Sequence, residues 1–345
     1  MRSLKIVLTA VGCPGAATMI RMLRKNGERR IDIVGVDMRN NAIGRFMVDR
    51  FYQVPPASSE DYIPAMLEIV KKESPALLFP QSSYEVLPLS RHKDKFKELG
   101  VPVLVSEPVP IEQCVDKAQM YKSIENIGVP VPRILYPESL QEFIDGAKEL
   151  GYPDKDVCFK PYVSKGARGF RILSEHINEA DILLYERPNN LYMTLDSFAR
   201  IFERANEFPR LLLMEYVKGR EFTVDALVHN GEILLGMVKT RDAINTGLAM
   251  SFMTVDRPDL EEYSARILRE IPLDFFANIQ FKDDKLLEIN PRVSTFVYQD
   301  DLILPYLGIK WALGEIDRDE LEKLADRIDY TRKTIRYYDQ VFWNA

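Results

Sequence analysis

The chain has 345 residues, of which 46% are hydrophobic and 28% charged, a composition typical of a soluble globular protein with roughly two to three domains. Acidic residues outnumber basic residues by 52 to 46, and the net charge of −6 argues against a broad nucleic-acid-binding surface. Apolar runs fall short of the ~20 residues of a membrane-spanning helix, no signal-peptide pattern opens the chain, and the three cysteines are too widely spaced for a metal or disulfide framework. We therefore expect a cytoplasmic protein with neither nucleic-acid nor membrane partners.

The first elements form a β-turn-α-β unit with a glycine-rich turn. Lys5–Ala10 is a strand-like run, Gly12 and Gly15 lie in the turn, and the second strand-like run, Ile31–Val36, is closed by Asp37. Two glycines at this spacing are an incomplete dinucleotide-binding fingerprint. The turn could instead present backbone amides to another anion, such as a substrate carboxylate.

The alternation of strands and helices continues to about residue 105 and predicts a parallel sheet of the Rossmann-like type. Tyr62–Lys72 has the pattern of an amphipathic helix, and Ala76–Pro80 and Val101–Val105 have the pattern of buried strands. Ligands of such sheets bind at the carboxyl ends of the strands. The residues expected at that edge are Gly12, Gly15, Ser82, Ser83 and Glu85. For the last three, capping of the following helix is an equally good explanation.

The second half of the chain predicts antiparallel sheets. Two strand-like runs flank the polar glycine loop Ser164–Gly169, which suits phosphate binding through backbone amides or is simply a turn. Phe222–Val228 and Ile233–Val238 are joined by an Asn-Gly turn, the strongest short hairpin signal. A second hairpin ends in Lys285–Ile289.

The end of that second hairpin carries Glu288, Asn290 and Arg292 at alternate positions, which places the three side chains on one face of a strand. Glu288 and Asn290 offer oxygen ligands for a hard cation such as Mg²⁺, and Arg292 offers a donor fork for phosphate or carboxylate. Pro291 ends the strand. These residues alone are also compatible with a solvent-exposed strand end.

Several short motifs in a fixed order resemble the ATP-grasp superfamily, and most of all the ATP-binding units of the carbamoyl phosphate synthetase large chain. The resemblance covers nearly the whole chain. The motifs are Asp116-Lys117, Lys160 before the Ser164–Gly169 loop, Glu215-Tyr216-Val217-x-Gly219-x-Glu221, Asn278-Ile-Gln280-Phe, and Glu288-Ile-Asn290-Pro-Arg292.

The resemblance implies an α/β N-terminal domain with a parallel, Rossmann-like sheet, followed by an α+β ATP-grasp unit with antiparallel sheets and a mobile lid. The implied boundaries are residues 1–112 for the N-terminal domain, 113–215 for the first part of the ATP-grasp unit including the lid, and 216–345 for its C-terminal part with the metal site.

The resemblance also implies ATP and Mg²⁺ (or Mn²⁺) as cofactors, and it assigns a role to each motif residue. The catalytic residues would be Arg292 and Lys160. The nucleotide would be held by Lys117, Lys160, Ser164, Gly166, Gly169, Glu215, Tyr216, Val217, Glu221 and Arg241. The metal ligands would be Gln280, Glu288 and Asn290. Many relatives have an acidic residue at the position of Gln280, but the carbamoyl phosphate synthetase units tolerate glutamine there.

The implied reaction is an ATP-dependent ligation of a small carboxylate and an amine through an acyl phosphate, with release of ADP and phosphate. Ser294, Thr295 and the Gly12–Gly15 turn would line the substrate pocket, and Lys239 would contact phosphate or substrate or lie at a solvated strand end. Two alternatives remain: an enzyme acting on bicarbonate or carbamate, and a regulator that binds ATP without turnover. A homodimer is possible.

Overall fold

The computed structural model describes residues 3–343 except 165, 167, 186–189, 246–247 and 295–298. The side chains at 179 and 245 are also excluded from the description. Lys165 and Thr295 therefore lie outside the described residues. The strands β1–β16 are, in order, Leu4–Leu8, Ile31–Asp37, Arg50–Gln53, Leu77–Phe79, Ile134–Leu135, Val157–Pro161, Arg171–Leu173, Tyr192–Met193, Leu211–Glu215, Glu221–His229, Glu232–Thr240, Ala243–Asn245, Leu248–Met253, Phe275–Lys282, Lys285–Asn290 and Lys333–Ile335. The helices α1–α12 are Ala16–Arg24, Tyr62–Glu73, Val86–Arg91, Lys93–Lys97, Pro108–Val115, Lys117–Ser123, Leu140–Glu149, Glu179–Tyr185, Leu195–Phe202, Pro258–Glu270, Leu304–Ala312 and Arg318–Ala325, with a 3₁₀ helix at Ile43–Phe46.

The N-terminal sheet is parallel, in the order β3-β2-β1-β4, so the predicted Rossmann-like architecture is confirmed. Its two faces are covered by separate apolar cores, one shared with α1 and α11 and the other with α2 and α3. The strand predicted at Val101–Val105 is wrong. Only Val103 forms a bridge, with Leu78 of β4, and the segment makes two hydrogen bonds with Leu78 before it leaves the sheet. The pairing does not extend further because Pro102 lacks an N–H.

A five-stranded sheet in the order β5-β9-β6-β7-β8 forms the lid region. Its own core is rich in aromatic rings, and Phe143 of α7 stacks on Phe198 of α9 with ring centroids 4.0 Å apart. The predicted strands on either side of the glycine loop are β6 and β7, which pair antiparallel. One face of this sheet therefore has a core of its own, whereas Cys158, Ile172, Leu212 and Met214 on the other face belong to the core of the central sheet.

The central sheet is the antiparallel β11-β10-β14-β15, packed on its inner face against α10. The predicted Asn-Gly hairpin is present and joins β10 to β11. Asn230 and Gly231 have φ angles of +47° and +78°, and this type of turn requires positive values at both positions. A small sheet, β12-β13-β16, pairs the C-terminal strand antiparallel with β13. The central sheet and the N-terminal sheet meet where Phe276 stacks on Phe79, with centroids 5.3 Å apart.

The C-terminal segment contains the closing strand β16 and then runs along the N-terminal domain. Arg336 donates a hydrogen bond to the Pro14 carbonyl at 3.4 Å, and the Trp343 ring stacks on Phe46 at 4.6 Å. Tyr338 and Phe342 are exposed. The segment therefore adds one strand to the small sheet before it reaches the N-terminal domain. Among the helices described, none has the length and apolar character needed to cross a membrane.

The buried carboxyl of Glu85 ties the ends of β1 and β4 together at the edge of the N-terminal sheet. Its Oε2 accepts a 2.6 Å hydrogen bond from the Thr9 hydroxyl. Burial raises the pKa of Glu85 to about 7, the Thr9 hydrogen bond opposes that rise, and the charge of Asp37 adds to it. A carboxyl with a raised folded-state pKa loses its stabilising contribution as the pH rises through that pKa.

We therefore expect Glu85→Gln, which keeps the acceptor oxygen, to gain stability relative to the wild type between pH 4.5 and pH 8. The gain should approach about 3 kcal/mol of unfolding free energy, from about 1.4 kcal/mol per pKa unit. Urea unfolding at the two pH values measures it, with the exposed Glu60→Gln as the control. A difference that does not change with pH would contradict the buried, neutral carboxyl.

Candidate active site

One face of the central sheet carries polar side chains at alternate positions of three neighbouring strands. Asn278 pairs with Asn290 and Gln280 with Glu288, so these four side chains share a face. On the other side of β14, Asp225 pairs with Asn278. The same face continues through Thr223, Glu221 and Lys282. An otherwise apolar sheet thus has a polar strip across it.

The amides of this strip are held by one another. The Asn278 Oδ1 accepts hydrogen bonds from the side-chain nitrogens of Gln280 and Asn290, both at 3.2 Å. Asn290 also donates to Glu288 at 3.0 Å, and Asn278 donates to Asp225. Since the amide nitrogens point at neighbours within the strip, the carbonyl oxygens of Gln280 and Asn290 are available to a cation.

A β-bulge in β15 fixes the position of Lys160. The pairing shifts by one residue between Gln280 and Phe281, which leaves Leu287 without a partner in the ladder. The Leu287 carbonyl accepts from the Lys160 amine at 3.0 Å and from the Tyr121 hydroxyl at 2.8 Å. Lys160 belongs to the lid sheet, so the bulge connects the lid to the central sheet beside Glu288.

Three cations from three different elements converge on Glu288. Lys117, at the start of α6, donates to the carbonyl and hydroxyl of Ser164 at 3.0 and 3.3 Å and is buried, not on the helix surface. The N-terminus of α6 is fixed because the Asp116 side chain accepts from two backbone amides. Arg292 follows β15 and donates to the Ser83 hydroxyl and the Val293 carbonyl, each at 2.8 Å.

The electrostatics show that these charges depend on one another. Burial opposes ionisation of Glu288, but the Asn290 hydrogen bond and the charges of Lys160, Lys117 and Arg292 together lower its pKa below the usual value. Burial lowers the pKa of Lys160 to about 8, with Glu288 acting against that shift. Burial likewise lowers the pKa values of Lys117 and Arg292. A multivalent anion bound here would meet cations that are already desolvated.

The far end of the polar strip holds the residues predicted to contact the nucleoside. Glu215 forms an ion pair with Lys285, and Glu221 lies 3.3 Å from Arg241 and 3.8 Å from Lys282. The Lys282 amine lies 5.0 Å from the centre of the Tyr216 ring, and Val217 is the second residue after β9. From Asn278 to Lys282 the strand spans about 14 Å, at ~3.4 Å per residue. The predicted nucleoside and phosphate contacts therefore lie at two ends of one strip.

The loop between β6 and β7 carries the predicted Ser164, Gly166 and Gly169. Both glycines have positive φ angles, +62° and +78°. A Cβ at Gly169 would come within 2.7 Å of the Pro161 ring, so this position requires glycine. The loop thus begins two residues after Lys160, at the end of β6, and places Ser164 against Lys117.

The Gly12–Gly15 turn is not arranged for a dinucleotide. The Gly12 amide donates to the Asp37 carboxylate at 2.7 Å, and the second carboxylate oxygen accepts from the Arg39 amide. Asp37 is buried and already used, so it is not available for a ribose. Of the predicted pocket residues, Ser294 accepts from Lys239 at 3.3 Å. Lys239 is fully buried and lies 3.0 Å from Asp225, so it is not at a solvated strand end.

The ligand set of the strip fits Mg²⁺ held jointly with phosphate oxygens. Within the part of the chain that the structure describes, no group of three His, Cys, Asp or Glu side chains could hold a metal alone. Glu288 supplies one ionised carboxylate, and Gln280 and Asn290 supply neutral oxygens. Magnesium commonly combines one or two carboxylates with substrate phosphates and water.

Four residues of the site were not predicted from the sequence. Asp225 and Thr223 repeat the period-two polarity of β10, and this signal was present in the sequence. Asn278 stands in a recognised motif, but its bridging of Gln280 and Asn290 depends on strand register. Tyr121 could not be found from sequence, because its partner Leu287 is 166 residues away.

Two family models match separate parts of the chain. Residues 207–334 match a model described as "ATP-grasp in the biosynthetic pathway with Ter operon", and residues 6–104 match "PylC-like, N-terminal domain". Among curated proteins, the carbamoyl phosphate synthase large chains of Clostridium perfringens (strain SM101) and Clostridium acetobutylicum are each 23% identical, over 81% and 80% of this chain. The chain spans about a quarter (25%) of the length of these relatives.

Solved structures share the fold at lower identity. The biotin carboxylase domain of Hydrogenobacter thermophilus 2-oxoglutarate carboxylase, in complex with MgADP, ADP and bicarbonate, matches with a TM-score of 0.63 and 18% identity, covering 92% of this chain and 71% of that one. N5-carboxyaminoimidazole synthetase of Staphylococcus aureus, complexed with ADP, matches with a TM-score of 0.61 and 12% identity, covering 88% and 77%.

The lowered pKa of Lys160 predicts that binding of a polyphosphate anion takes up a proton above pH 8. The anion favours the charged amine, so a side chain that is about three-quarters neutral at pH 8.5 becomes protonated on binding. Calorimetry with tripolyphosphate in two buffers of different ionisation enthalpy should show an uptake of about 0.7 proton. Lys160→Met should abolish it and Lys148→Met, on an exposed lysine, should not. Equal uptake in both variants would contradict the prediction.

Proposed function

We propose that this chain, whose residues 207–334 match an ATP-grasp model, is an ADP-forming ligase that joins a small carboxylate to an amine through an acyl phosphate. The observation that carries the proposal is the convergence of Lys117, Lys160 and Arg292 on Glu288. Three desolvated cations beside a strip of oxygen ligands suit a metal-bound polyphosphate and the charge that develops in phosphoryl transfer.

The proposed nucleotide site follows the polar strip. Lys117 and Lys160 contact the phosphates, and the Ser164–Gly169 loop covers them. Glu215, Tyr216 and Val217 hold the adenine at the far end, and Glu221 holds the ribose. The ion pair of Glu221 with Arg241 places a cation near the same region. Gln280, Glu288 and Asn290 hold Mg²⁺, which would neutralise phosphate charge and orient the transferring phosphoryl group.

The proposed chemistry needs two functions from the protein beyond nucleotide binding. Arg292 offers its fork to the substrate carboxylate and to the phosphoryl group that the carboxylate attacks. The acyl phosphate must then meet the amine before it meets water, so the lid loop has to close during the reaction. We place the pocket for the carboxylate between Arg292, Ser294 and the Gly12–Gly15 turn.

Bicarbonate as the carboxylate is the second candidate, because the curated relatives matched over four-fifths of this chain are carbamoyl phosphate synthases (81% of the chain). The same residues would serve, since bicarbonate attacks the phosphoryl group as a carboxylate does. The product would be a carboxylated amine (a carbamate), which a second ATP would have to phosphorylate to give carbamoyl phosphate, and no peptide-like bond would form. The two candidates therefore differ in the acid that activates ADP release and in the product that is formed.

We expect ADP release from Mg²⁺-ATP to require a carboxylate, and product formation to require an amine as well. A coupled ADP assay with panels of carboxylates and amines, each with and without bicarbonate, separates the two candidates. Activation by bicarbonate alone would favour the second. Tight ATP binding with no ADP under any combination would contradict both and indicate a regulator.

Removal of either central charge should lower turnover by about 100-fold or more. Glu288→Ala weakens the metal site, so its activity should also need more Mg²⁺, whereas Arg292→Ala should lower turnover at every Mg²⁺ concentration. Steady-state kinetics across a Mg²⁺ series measures both. The controls are Glu232→Gln and Arg327→Lys, on exposed side chains. Unchanged rates in the two site variants would refute the site assignment.

A further inference from the structure

A short turn of the N-terminal domain touches the proposed catalytic arginine. Ser83 lies in the turn between β4 and α3, and its Oγ accepts a 2.8 Å hydrogen bond from the Arg292 Nε across 209 residues of sequence. The Arg292 Nη1 donates to the Val293 carbonyl at 2.8 Å. These two bonds fix the plane of the guanidinium and leave its other N–H donors for an anion.

The next residue of the same turn touches the lid. The Tyr84 hydroxyl accepts a 3.1 Å hydrogen bond from Arg168 in the loop between β6 and β7. The Tyr84 side chain is about half exposed, at 52%, so the contact with the lid loop lies near the surface. Two consecutive residues therefore contact Arg292 on one side and the lid loop on the other.

Hydrogen bonds to the buried Thr9 at the end of β1 hold the turn in place. Gln81 donates from its side chain to the Thr9 carbonyl at 2.8 Å and from its backbone to the Thr9 hydroxyl at 3.3 Å. The same hydroxyl donates to Glu85 at 2.6 Å, and all three residues are buried. Within the turn, the Ser82 Oγ accepts from the Tyr84 amide at 3.2 Å. Buried, satisfied networks of this kind hold backbone in one conformation.

We propose that this turn, residues 81–85, is the positioning element of the reaction: Ser83 orients Arg292, and Tyr84 docks the closed lid loop through Arg168. The proposal rests on the ligase function proposed above. It gives the N-terminal α/β domain a role in the reaction. The domain supplies a rigid reference point against which both the guanidinium and the lid are placed.

The first test separates positioning from folding. Ser83→Ala should lower kcat about 10-fold, the loss of one aligned hydrogen bond, while the KM for ATP stays near the wild-type value. Ser83→Thr keeps the hydroxyl and should recover most of the rate. The exposed Ser58→Ala serves as the control. In an Arg292→Lys background, Ser83→Ala should have little further effect, because the Nε donor is gone. A full additional 10-fold loss there would overturn the role of Ser83.

The second test follows the lid without any carboxylate substrate. Trypsin cleavage after Arg168 should slow when Mg²⁺ and a nonhydrolysable ATP analogue bind, and Tyr84→Phe should lose most of that protection. The exposed Tyr185→Phe should keep it. With substrates present, Tyr84→Phe should release more ADP than product, because water reaches the acyl phosphate. Equal protection and an unchanged ADP-to-product ratio would overturn the docking role.

The two tests also distinguish this proposal from the ligase function on which it rests. Protection from trypsin requires nucleotide binding only, so it can be measured even if no carboxylate is turned over. If Tyr84→Phe loses its protection from trypsin as expected but no ADP forms with any substrate, the ligase function is refuted and the contact of Tyr84 with the lid loop is supported. If ADP forms but the Ser83→Ala and Tyr84→Phe variants behave like the wild type, the ligase function is supported and the positioning role of the turn is refuted.

Discussion

Burial of the Glu288 carboxylate is the constraint on which the rest of the site depends. A buried charge without partners costs several kcal/mol, and Glu288 meets this cost with Lys117, Lys160 and Arg292, which arrive from a helix, the lid sheet and the strand end. Each cation is itself buried and needs the carboxylate. The three elements therefore have to be in place together, and the cleft between the lid and the central sheet is held by charge as well as by apolar packing.

The sequence allowed the face of the central sheet to be predicted, because strand side chains alternate with a period of two. Glu288 and Asn290 share a face for that reason, and the Asn-Gly and Lys-Asp-Asp turns set which strands pair. The parallel N-terminal sheet followed from alternating strands and helices. The failure at Val101–Val105 has the same physical origin: apolar runs suggest strands, but pairing requires backbone donors that Pro102 lacks.

Contacts between distant segments could not be predicted from local pattern. The hydrogen bond from Arg292 to Ser83 depends on how two domains pack, and the hold of Tyr121 and Lys160 on Leu287 depends on a bulge that no residue type announces. Lys117 was assigned to the nucleotide through the resemblance, but its burial comes from the lid and not from its own helix, so local pattern could not show it. What local pattern identified was the list of charged groups; what it could not supply was their partners.

Because of the bulge at Leu287, the contact that holds the lid can change while the strand pairing that aligns the predicted metal ligands stays the same. Gln280 pairs with Glu288 on one side of the bulge, and Lys282 pairs with Lys285 on the other. A hairpin one residue shorter would keep both pairs and lose only the carbonyl that holds Lys160 and Tyr121. Related chains can therefore gain or lose this anchor through a single-residue insertion or deletion, and change how tightly the lid is held without rebuilding the oxygen ligands beside it.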